Sequence, residues 1–330
     1  MGLKILFVGG TGLISLPCVI EAVAAGHQVS VFNRGATAVT LPEGVQAIAG
    51  DCADAAGYRA AAAGSYDVVC QFIAYGPADI ERDVALFAGC TGQYIFISSA
   101  SAYKKPVDNW PITEATPLDN PYWEYSRKKA AAETALTGQS TLPYTIIRPS
   151  HTVRTHFPTG MSERDAVASR MRRGLPVVVH GDGTSLWTLT RAEDFAVPFV
   201  RLFGEPAALG AAFHLTADHA YSWNQIYEAI AAALGVEAEL IHVPSDTLVR
   251  YRPDWTGPLF GDKAHSLLFD NSKIKALVGD FSCARDLADV LAGPLAAYWR
   301  RAGSGAPAAD PLDPLFDAII GAQRTAGPRA

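Results

Sequence analysis

The chain of 330 residues is long enough to bury one large hydrophobic core or two modest ones. Hydrophobic residues make up 49% and charged residues 18% of the sequence, which is typical of a folded protein and excludes a disordered one. The formal net charge of −6 argues against nucleic acid as a general partner, because binding to phosphates requires a basic surface.

The opening stretch "MGLKILFVGG" is too short for a membrane helix and has no signal-peptide cleavage pattern, so we expect a cytoplasmic protein without a membrane anchor. The cysteines are odd in number and widely spaced, with no CxxC motif and no Cys/His cluster. We therefore expect reduced thiols and no metal site. The five cysteines are Cys18, Cys52, Cys70, Cys90 and Cys283.

The first half of the chain alternates between strand-like and helix-like segments. Helices are predicted over "LISLPCVIEAVAAG", about residues 53–63, about residues 78–90, and around Tyr125. The predicted strands are "LKILFVG", "QVSVF", "VQAIAG", "DVVCQFI", "QYIFIS" and "YTIIRP". Short apolar strands separated by helices predict an α/β protein with a doubly wound parallel sheet, a Rossmann fold, over residues 1–152.

The pattern changes after about residue 150, where we expect a smaller, substrate-binding lobe over residues 153–330. Some of its segments, at about 188–215, should return to the main sheet. The stretch "SHTVRTHFPTG" is predicted to be irregular, and "RYRPDWTGPLFGD" to be a loop that covers another part of the protein. The tail from about residue 303 is predicted to be flexible.

A glycine-rich turn, "VGGTGLIS", joins the first strand to the first helix. Gly9 and Gly12 let the backbone turn tightly and approach a pyrophosphate at the helix N-terminus. An ordinary tight turn is the alternative, but the strand before it and the helix after it favour a dinucleotide site. Ser15 stands where such sites have a third glycine.

Two further strand ends carry polar residues suited to a dinucleotide. The second strand ends in Asn33 and Arg34 where an acidic residue would bind the ribose of NAD, so NADP is favoured over NAD. A solvated loop arginine is the alternative for Arg34. After the third strand, Asp51 is placed to bind the adenine amino group beside Cys52, although Asp51 could instead cap the next helix.

Taken together, the motifs "GGTGLIS", "FISSASAY", "YSRKK", "RPSHTV", "GDGTSLWTLTRAEDFA" and "FDNSKIKALVG" resemble the extended short-chain dehydrogenase/reductase family, the NAD(P)-dependent epimerase and dehydratase group. The resemblance covers most of the chain. It implies a Tyr-x-x-x-Lys pair at Tyr125 and Lys129 and a catalytic serine at Ser99, with Ser98 and Ser101 as neighbours that could take the role.

Tyr125 and Lys129 share one face of the predicted helix because they are four residues apart. A free phenol has a pKa of about 10, and a nearby ammonium and an oxidised nicotinamide would lower it. Lys129 is also expected to hold the nicotinamide ribose. Glu133, one turn further on, is expected to form an ion pair along the helix.

The cofactor contacts expected from these motifs form one set. They are Gly9, Gly12, Leu13, Ile14, Asn33, Arg34, Asp51, Cys52, Phe72, Ile73, Ala74, Tyr75, Ser98, Tyr125, Lys129, Pro149 and His151, with Ser150 beside them.

The substrate side departs from the family pattern. Nucleotide-sugar enzymes of this family place an arginine where this chain has Trp187, and that tryptophan either stacks on substrate or packs in the core. Arg191 and Arg154 are candidate replacements, as are Arg250 and Arg252. Ser99, Tyr125 and His151 complete the expected substrate contacts, and His156 is a weaker candidate.

Three functions are consistent with these residues. The first is an NAD(P)-dependent epimerase of a sugar or nucleotide-sugar, and the second is an NADP-dependent reductase or dehydrogenase of a non-nucleotide hydroxyl or ketone. Dehydration is not expected, because the dehydratases of this family carry an acidic residue next to the catalytic serine or threonine, and here Ala100 and Ser101 follow Ser99. The third is RNA binding, since the C-terminal lobe resembles chloroplast stem-loop-binding proteins, but the complete Ser/Tyr/Lys set and the acidic charge count against it. The family resemblance implies that the partner is a small-molecule substrate, a sugar or its derivative, and that the protein forms a homodimer.

Overall fold

The computed structural model describes residues 2–36, 38–161 and 163–326, and these contain twelve strands and twelve helices. The strands are β1 (Lys4–Val8), β2 (Gln28–Asn33), β3 (Gln46–Ala49), β4 (Tyr66–Gln71), β5 (Thr91–Ile97), β6 (Tyr144–Pro149), β7 (His151–Val153), β8 (Val177–His180), β9 (Leu186–Arg191), β10 (Ala211–Leu215), β11 (Ala220–Ser222) and β12 (Leu240–Val243). The helices are α1 (Ser15–Ala24), α2 (Ala55–Ala62), α3 (Pro77–Phe87), α4 (Glu124–Thr137), α5 (Ala166–Arg172), α6 (Ala192–Val200), α7 (Trp223–Leu234), α8 (Ser245–Tyr251), α9 (Thr256–Pro258), α10 (Ser272–Val278), α11 (Leu287–Ala302) and α12 (Asp313–Ala326).

Seven strands form a parallel sheet in the order β10-β6-β5-β4-β1-β2-β3. Strand β1 is apolar beyond its first residue because both faces of the sheet are covered there. Ile5 and Phe7 enter the core on one face of the sheet, while Leu6 and Val8 enter the core on the other face. Since helices cover both faces, every side chain of the strand beyond its first residue is buried. The predicted doubly wound Rossmann fold is confirmed.

The strand order reverses next to β1, which pairs with β2 on one side and β4 on the other. In a doubly wound sheet such a reversal opens a crevice at the carboxyl ends of the strands, where ligands bind. The turn after β1 and the residues after β4 both end at this crevice.

Part of the second half of the chain packs on the main sheet. Strand β10 pairs with β6 at the edge, and α6 packs against α1. Two small sheets, β11-β9-β7 and β12-β8, lie in the second lobe. Their core includes the large buried side chains Trp187, Trp223 and Tyr227.

Three expectations for this half were wrong. The stretch "SHTVRTHFPTG" begins with strand β7, which pairs with β9. The predicted loop "RYRPDWTGPLFGD" contains α9 and ends in a π-helical turn, Leu259–Lys263. The predicted flexible tail contains α12, which buries Phe316 and Ile319 against the lobe. The predicted loop and the predicted flexible tail have few apolar residues, and these are separated by small and polar ones. Neither segment therefore showed a clear helical periodicity.

Glu133 does not pair along its helix as expected. Its carboxylate accepts hydrogen bonds from Arg148 of β6, with an Nη2–Oε2 distance of 2.6 Å, and both side chains are buried. The ion pair along the surface of α4 is formed instead by Lys128 and Glu124. The buried pair ties α4 to the sheet, because each partner would be left without its countercharge if the helix moved.

In the described part of the chain, no helix combines the length and the apolar character that a membrane crossing requires. The five cysteines are free thiols, and the described residues contain no group of histidine, cysteine and carboxylate side chains arranged to hold a metal.

Candidate active site

A groove at the N-terminus of α1 is shaped for the phosphates of a dinucleotide. Gly9 has φ +88°, and a Cβ atom at this position would lie 2.6 Å from the side chain of Ile73. Only glycine fits this turn. The Ser15 hydroxyl accepts a hydrogen bond from the Gly12 N–H at 2.8 Å, so the serine that replaces the third glycine braces the turn. The first turn of α1 has no acidic residue that would repel an anion.

The groove has a volume of about 500 Å³ and continues past the ends of β2 and β3. Its shape and the chemistry of its donors fit an adenine dinucleotide. The expected cofactor residues that line it are Gly9, Gly12, Asn33, Arg34, Asp51, Cys52, Ile73 and Tyr75, and the sequence analysis missed Thr11, Asp79 and Arg82.

The side chains at the adenosine end are already oriented by local hydrogen bonds. Asn33 accepts from the Gly35 N–H at 2.8 Å, and Arg34 is exposed. Asp51 accepts from the Ala53 N–H at 2.9 Å through one oxygen only, and the cap of α2 is Asp54. Asp51 thus keeps a carboxylate oxygen toward the groove.

Lys129 is held between two strand ends. Its ammonium donates to the carbonyl oxygen of Ala74 at 2.8 Å and to that of Ile97 at 2.7 Å. Burial lowers its pKa to about 8. The ammonium also lies 4.9 Å from the centre of the Tyr75 ring, which lines the groove and is 50% exposed. The lysine therefore reaches the edge of the groove while its own charge stays partly solvated by carbonyl groups.

Tyr125 lies one turn before Lys129 on α4 and faces a separate cavity. In the protein alone, burial raises the pKa of its phenol to about 12, and the Ser99 hydroxyl facing it acts in the opposite direction. From sequence we expected the pKa of Tyr125 to be lowered when the cofactor is bound. In the protein alone the pKa is raised instead. A phenol that stays protonated near neutral pH is suited to donate a proton.

Three serine hydroxyls form a chain that ends at the cavity. Ser126 donates to Ser101 with an Oγ–Oγ distance of 2.8 Å, and the Ser101 and Ser99 Oγ atoms are 2.9 Å apart. The backbone N–H of Ser101 also donates to Ser99 at 3.2 Å. When Ser101 donates to Ser99, both acceptor positions of Ser99 are filled, and its own proton points toward the cavity.

The cavity has a volume of about 280 Å³. His151 lines it and also contacts Trp187 edge to face, with ring centres 6.1 Å apart. Burial lowers the pKa of His151 to about 3, so the imidazole is neutral at physiological pH. The lining residues are Ser99, Ala100, Ser101, Trp123, Tyr125, Pro149, Ser150, His151, Asp262 and Leu267.

Several expected site residues lie elsewhere. Trp187 is buried in the core of the second lobe and does not line the cavity. Arg191 is near Asp194 at 3.9 Å, and Arg154 reaches the Gly12 carbonyl at 3.5 Å, so neither arginine lines the cavity. Phe72 packs on Phe7 in the core.

Four further expected residues line neither the groove nor the cavity. Ser98 is buried, and its hydroxyl has no hydrogen-bond partner among the described residues. Leu13 and Ile14 precede α1 and are partly buried, and His156 contacts the Thr155 hydroxyl.

The sequence analysis also missed residues of the cavity. Trp123 and Asp262 form part of its wall, and Asn120 joins two sides of it by donating to the carbonyl oxygens of Ser101 and Gly261 at 2.7 and 2.6 Å. The only signal in the sequence was the cluster of glycine, aromatic and acidic residues around residue 260, in the segment interpreted as a loop.

A Rossmann fold with a glycine turn, a groove for a dinucleotide and an adjoining Ser/Tyr/Lys cluster defines an NAD(P)-dependent enzyme. Residues 9–171 match the family model described as NAD(P)H-binding. The match covers the glycine turn, Ser99, Tyr125 and Lys129, and the resemblance to the extended short-chain dehydrogenase/reductase family that the motifs predicted is confirmed.

Two curated relatives are similar in sequence. A 2'-dehydrokanamycin reductase of Streptomyces kanamyceticus is 29% identical over 250 residues, which span 74% of this chain and 70% of that protein. The chloroplast stem-loop binding protein of 41 kDa b of Arabidopsis thaliana is 28% identical over 256 residues, spanning 72% of this chain and 65% of that protein.

Solved structures share the fold at lower identity. The epimerase Mth375 of Methanothermobacter thermautotrophicus has a TM-score of 0.74 at 15% identity, covering 91% of this chain and 93% of its own. The UDP-glucose 4-epimerase of Thermotoga maritima, solved with UDP-glucose, has a TM-score of 0.70 at 17% identity, covering 90% and 99%.

Proposed function

We propose that the protein is an NADP-dependent reductase or dehydrogenase that interconverts a ketone and a hydroxyl group on a small, non-nucleotide substrate. The observation that carries this proposal is the cavity of about 280 Å³, which Ser99 and Tyr125 line and to which no arginine contributes among the described residues. A diphosphate would need such a cation. The volume lies near the lower end for ligand sites and suits a single ring.

In the direction of reduction, the Ser99 hydroxyl donates a hydrogen bond to the carbonyl oxygen, and the Tyr125 phenol transfers its proton to that oxygen. A reduced nicotinamide cofactor, when bound, supplies the hydride. Lys129 holds the ribose end of the cofactor and stabilises the phenolate left after proton transfer. The serine chain from Ser126 keeps the Ser99 proton directed at the substrate.

Exposed Arg34 at the end of β2 supports NADP as the cofactor, because its guanidinium can pair with a 2′-phosphate where NAD enzymes place a carboxylate. The similarity to a protein named as a reductase supports reduction over the sugar epimerisation that the family resemblance put first. Epimerisation uses the same three residues and remains the second candidate. The homodimer and the cytoplasmic location remain predictions.

The test separates these functions by cofactor balance. Purified protein is assayed for NADPH consumption with a panel of ketones, and for dinucleotide that remains bound through gel filtration. Stoichiometric NADPH consumption is the expected result. Retained NAD with interconversion of sugar epimers and no net oxidation would contradict reduction and support epimerisation. Salt-sensitive RNA binding without turnover would contradict both and support the third function considered from sequence.

A further inference from the structure

Asp262 is the one carboxylate among the residues that line the substrate cavity, and His151, the other titratable group apart from Tyr125, is neutral there. In the described part of the chain, no N–H or O–H group donates a hydrogen bond to the Asp262 carboxylate. A partly buried carboxylate without such a donor is costly unless a ligand supplies one.

The backbone holds Asp262 firmly in this wall. It lies in the π-helical turn, and π-helical turns are frequent at functional sites. A Cβ atom at Gly261 would lie 2.8 Å from the Cβ atom of Trp123, so this turn packs directly on the base of the Trp123 side chain. Asn120 links the turn to the segment Ser99–Ser101 by donating to the carbonyl oxygens of Gly261 and Ser101. His180 and Ser185 contact the carbonyl oxygen of Lys263 at 2.9 and 3.2 Å.

Two buried lysines, Lys105 and Lys263, act on Asp262 electrostatically, and neither forms an ion pair with it in the described part of the chain. The ammonium of Lys105 donates to the Tyr103 carbonyl at 3.2 Å, and the ammonium of Lys263 lies between two indole rings, 5.9 Å from Trp123 and 5.7 Å from Trp187. Burial raises the pKa of Asp262, and the positive charges of both lysines, which favour the carboxylate, offset that rise only in part. Neither lysine lines the cavity, so the acidic group that a substrate contacts there is Asp262.

We infer that the substrate carries a protonated amine, which pairs with the Asp262 carboxylate and lies against the face of Trp123. This inference rests on the proposed function of the same cavity. A carboxylate beside an indole is a favourable site for an ammonium group, which gains an ion pair and a cation–π contact together.

The inference is tested by binding of matched sugars to the full chain saturated with NADP⁺, measured by calorimetry. The probes are glucosamine and glucose, which differ in one amino group. We expect glucosamine to bind about tenfold tighter or more, D262N to remove that preference, and D262E to keep most of it. D254N is the matched control, since Asp254 is an exposed carboxylate of the same segment.

Equal binding of the two sugars, no measurable binding of glucosamine, or an unchanged preference in D262N would overturn the inference. A measurement on the unmodified protein guards against a variant that does not fold: the preference should shrink as the salt concentration rises from about 0.02 M to about 0.5 M. Tyr125→Phe separates this inference from the proposed function. If that variant keeps its turnover while Asp262 still sets the amine preference, the proposed chemistry fails and the amine site stands.

Discussion

The ammonium nitrogen of Lys129 lies 5.9 Å from the centre of the Tyr125 ring, and it donates to two carbonyl oxygens at the ends of the sheet. Those two bonds, to Ala74 and Ile97, fix the lysine in place before any ligand binds. The positive charge therefore needs no rearrangement when the phenol loses its proton, which is the condition under which electrostatic stabilisation is most effective.

Replacement of Tyr125 by phenylalanine should lower turnover by about 10²–10⁴-fold, because only the acidic proton is removed. Cofactor affinity should stay within about twofold, since the ring and its packing on Trp123 remain. Steady-state kinetics and a fluorescence titration with NADPH measure the two effects. Tyr122→Phe is the control, because Tyr122 is exposed. A variant that kept most of its rate would show that the acid–base assignment is wrong.

Cofactor binding should weaken as the pH rises through about 8, the pKa of the buried Lys129 ammonium in the protein alone. Burial lowers the pKa of Lys129 from the ordinary lysine value of 10.5, so the ammonium loses its proton at a lower pH. The neutral amine no longer attracts the negatively charged cofactor, and affinity falls as the pH rises. NADPH titrations from pH 6 to about pH 9.5 measure this dependence. Lys129→Met should bind weakly at every pH without that inflection. Lys128→Met, which changes an exposed lysine, should keep it.

Loss of the serine chain should reduce turnover in a graded way. Ser99→Ala removes the hydroxyl that contacts the substrate oxygen, and we expect a loss of about 10²-fold or more in kcat. Ser101→Ala keeps the Ser99 hydroxyl but removes the hydrogen bond that orients its proton. The expected loss in kcat is therefore smaller, about tenfold. Equal rates for Ser101→Ala and the unmodified protein would show that the chain does not orient Ser99.

Arg34→Ala should weaken NADPH binding by about 10–100-fold and leave NADH binding nearly unchanged, because only NADPH has the 2′-phosphate that the guanidinium pairs with. Paired titrations with both cofactors measure the ratio of the two affinities. Arg59→Ala, on the neighbouring helix α2, is the control. A parallel loss for both cofactors would place Arg34 at another part of the dinucleotide.

Glu133→Gln should lower the free energy of unfolding by about 3 kcal/mol, because it leaves the buried Arg148 guanidinium without a countercharge. Glu124→Gln, which breaks the exposed pair with Lys128, should leave the free energy of unfolding nearly unchanged. Urea unfolding followed by circular dichroism measures both. Similar values for the two variants would mean that the buried pair does not anchor α4.

Local sequence patterns were enough to predict the main sheet. Strands such as β1 are apolar without interruption because both faces are covered, and that signal depends on a few neighbouring residues. The glycine turn could be predicted for the same reason, since Gly9 needs a positive φ that the residue itself permits.

The second lobe could not be predicted as well. The π-helical turn and α12 are stabilised by distant contacts, such as Asn120 with Gly261 and Arg170 with Asp313, which are separated by 141 and 143 residues. Periodicity within a short segment carries no information about such partners.

The spacing of Tyr125 and Lys129 placed both residues on one helix face, because an α-helix brings residues four apart together whatever surrounds it. Only the tertiary structure decided that Asp262 lines the cavity that the phenol faces. It also buried Trp187 in the core of the second lobe, packed Phe72 against the core beneath the sheet, and paired Glu133 with Arg148. These positions depend on how remote segments pack, and on which buried charges find a partner there.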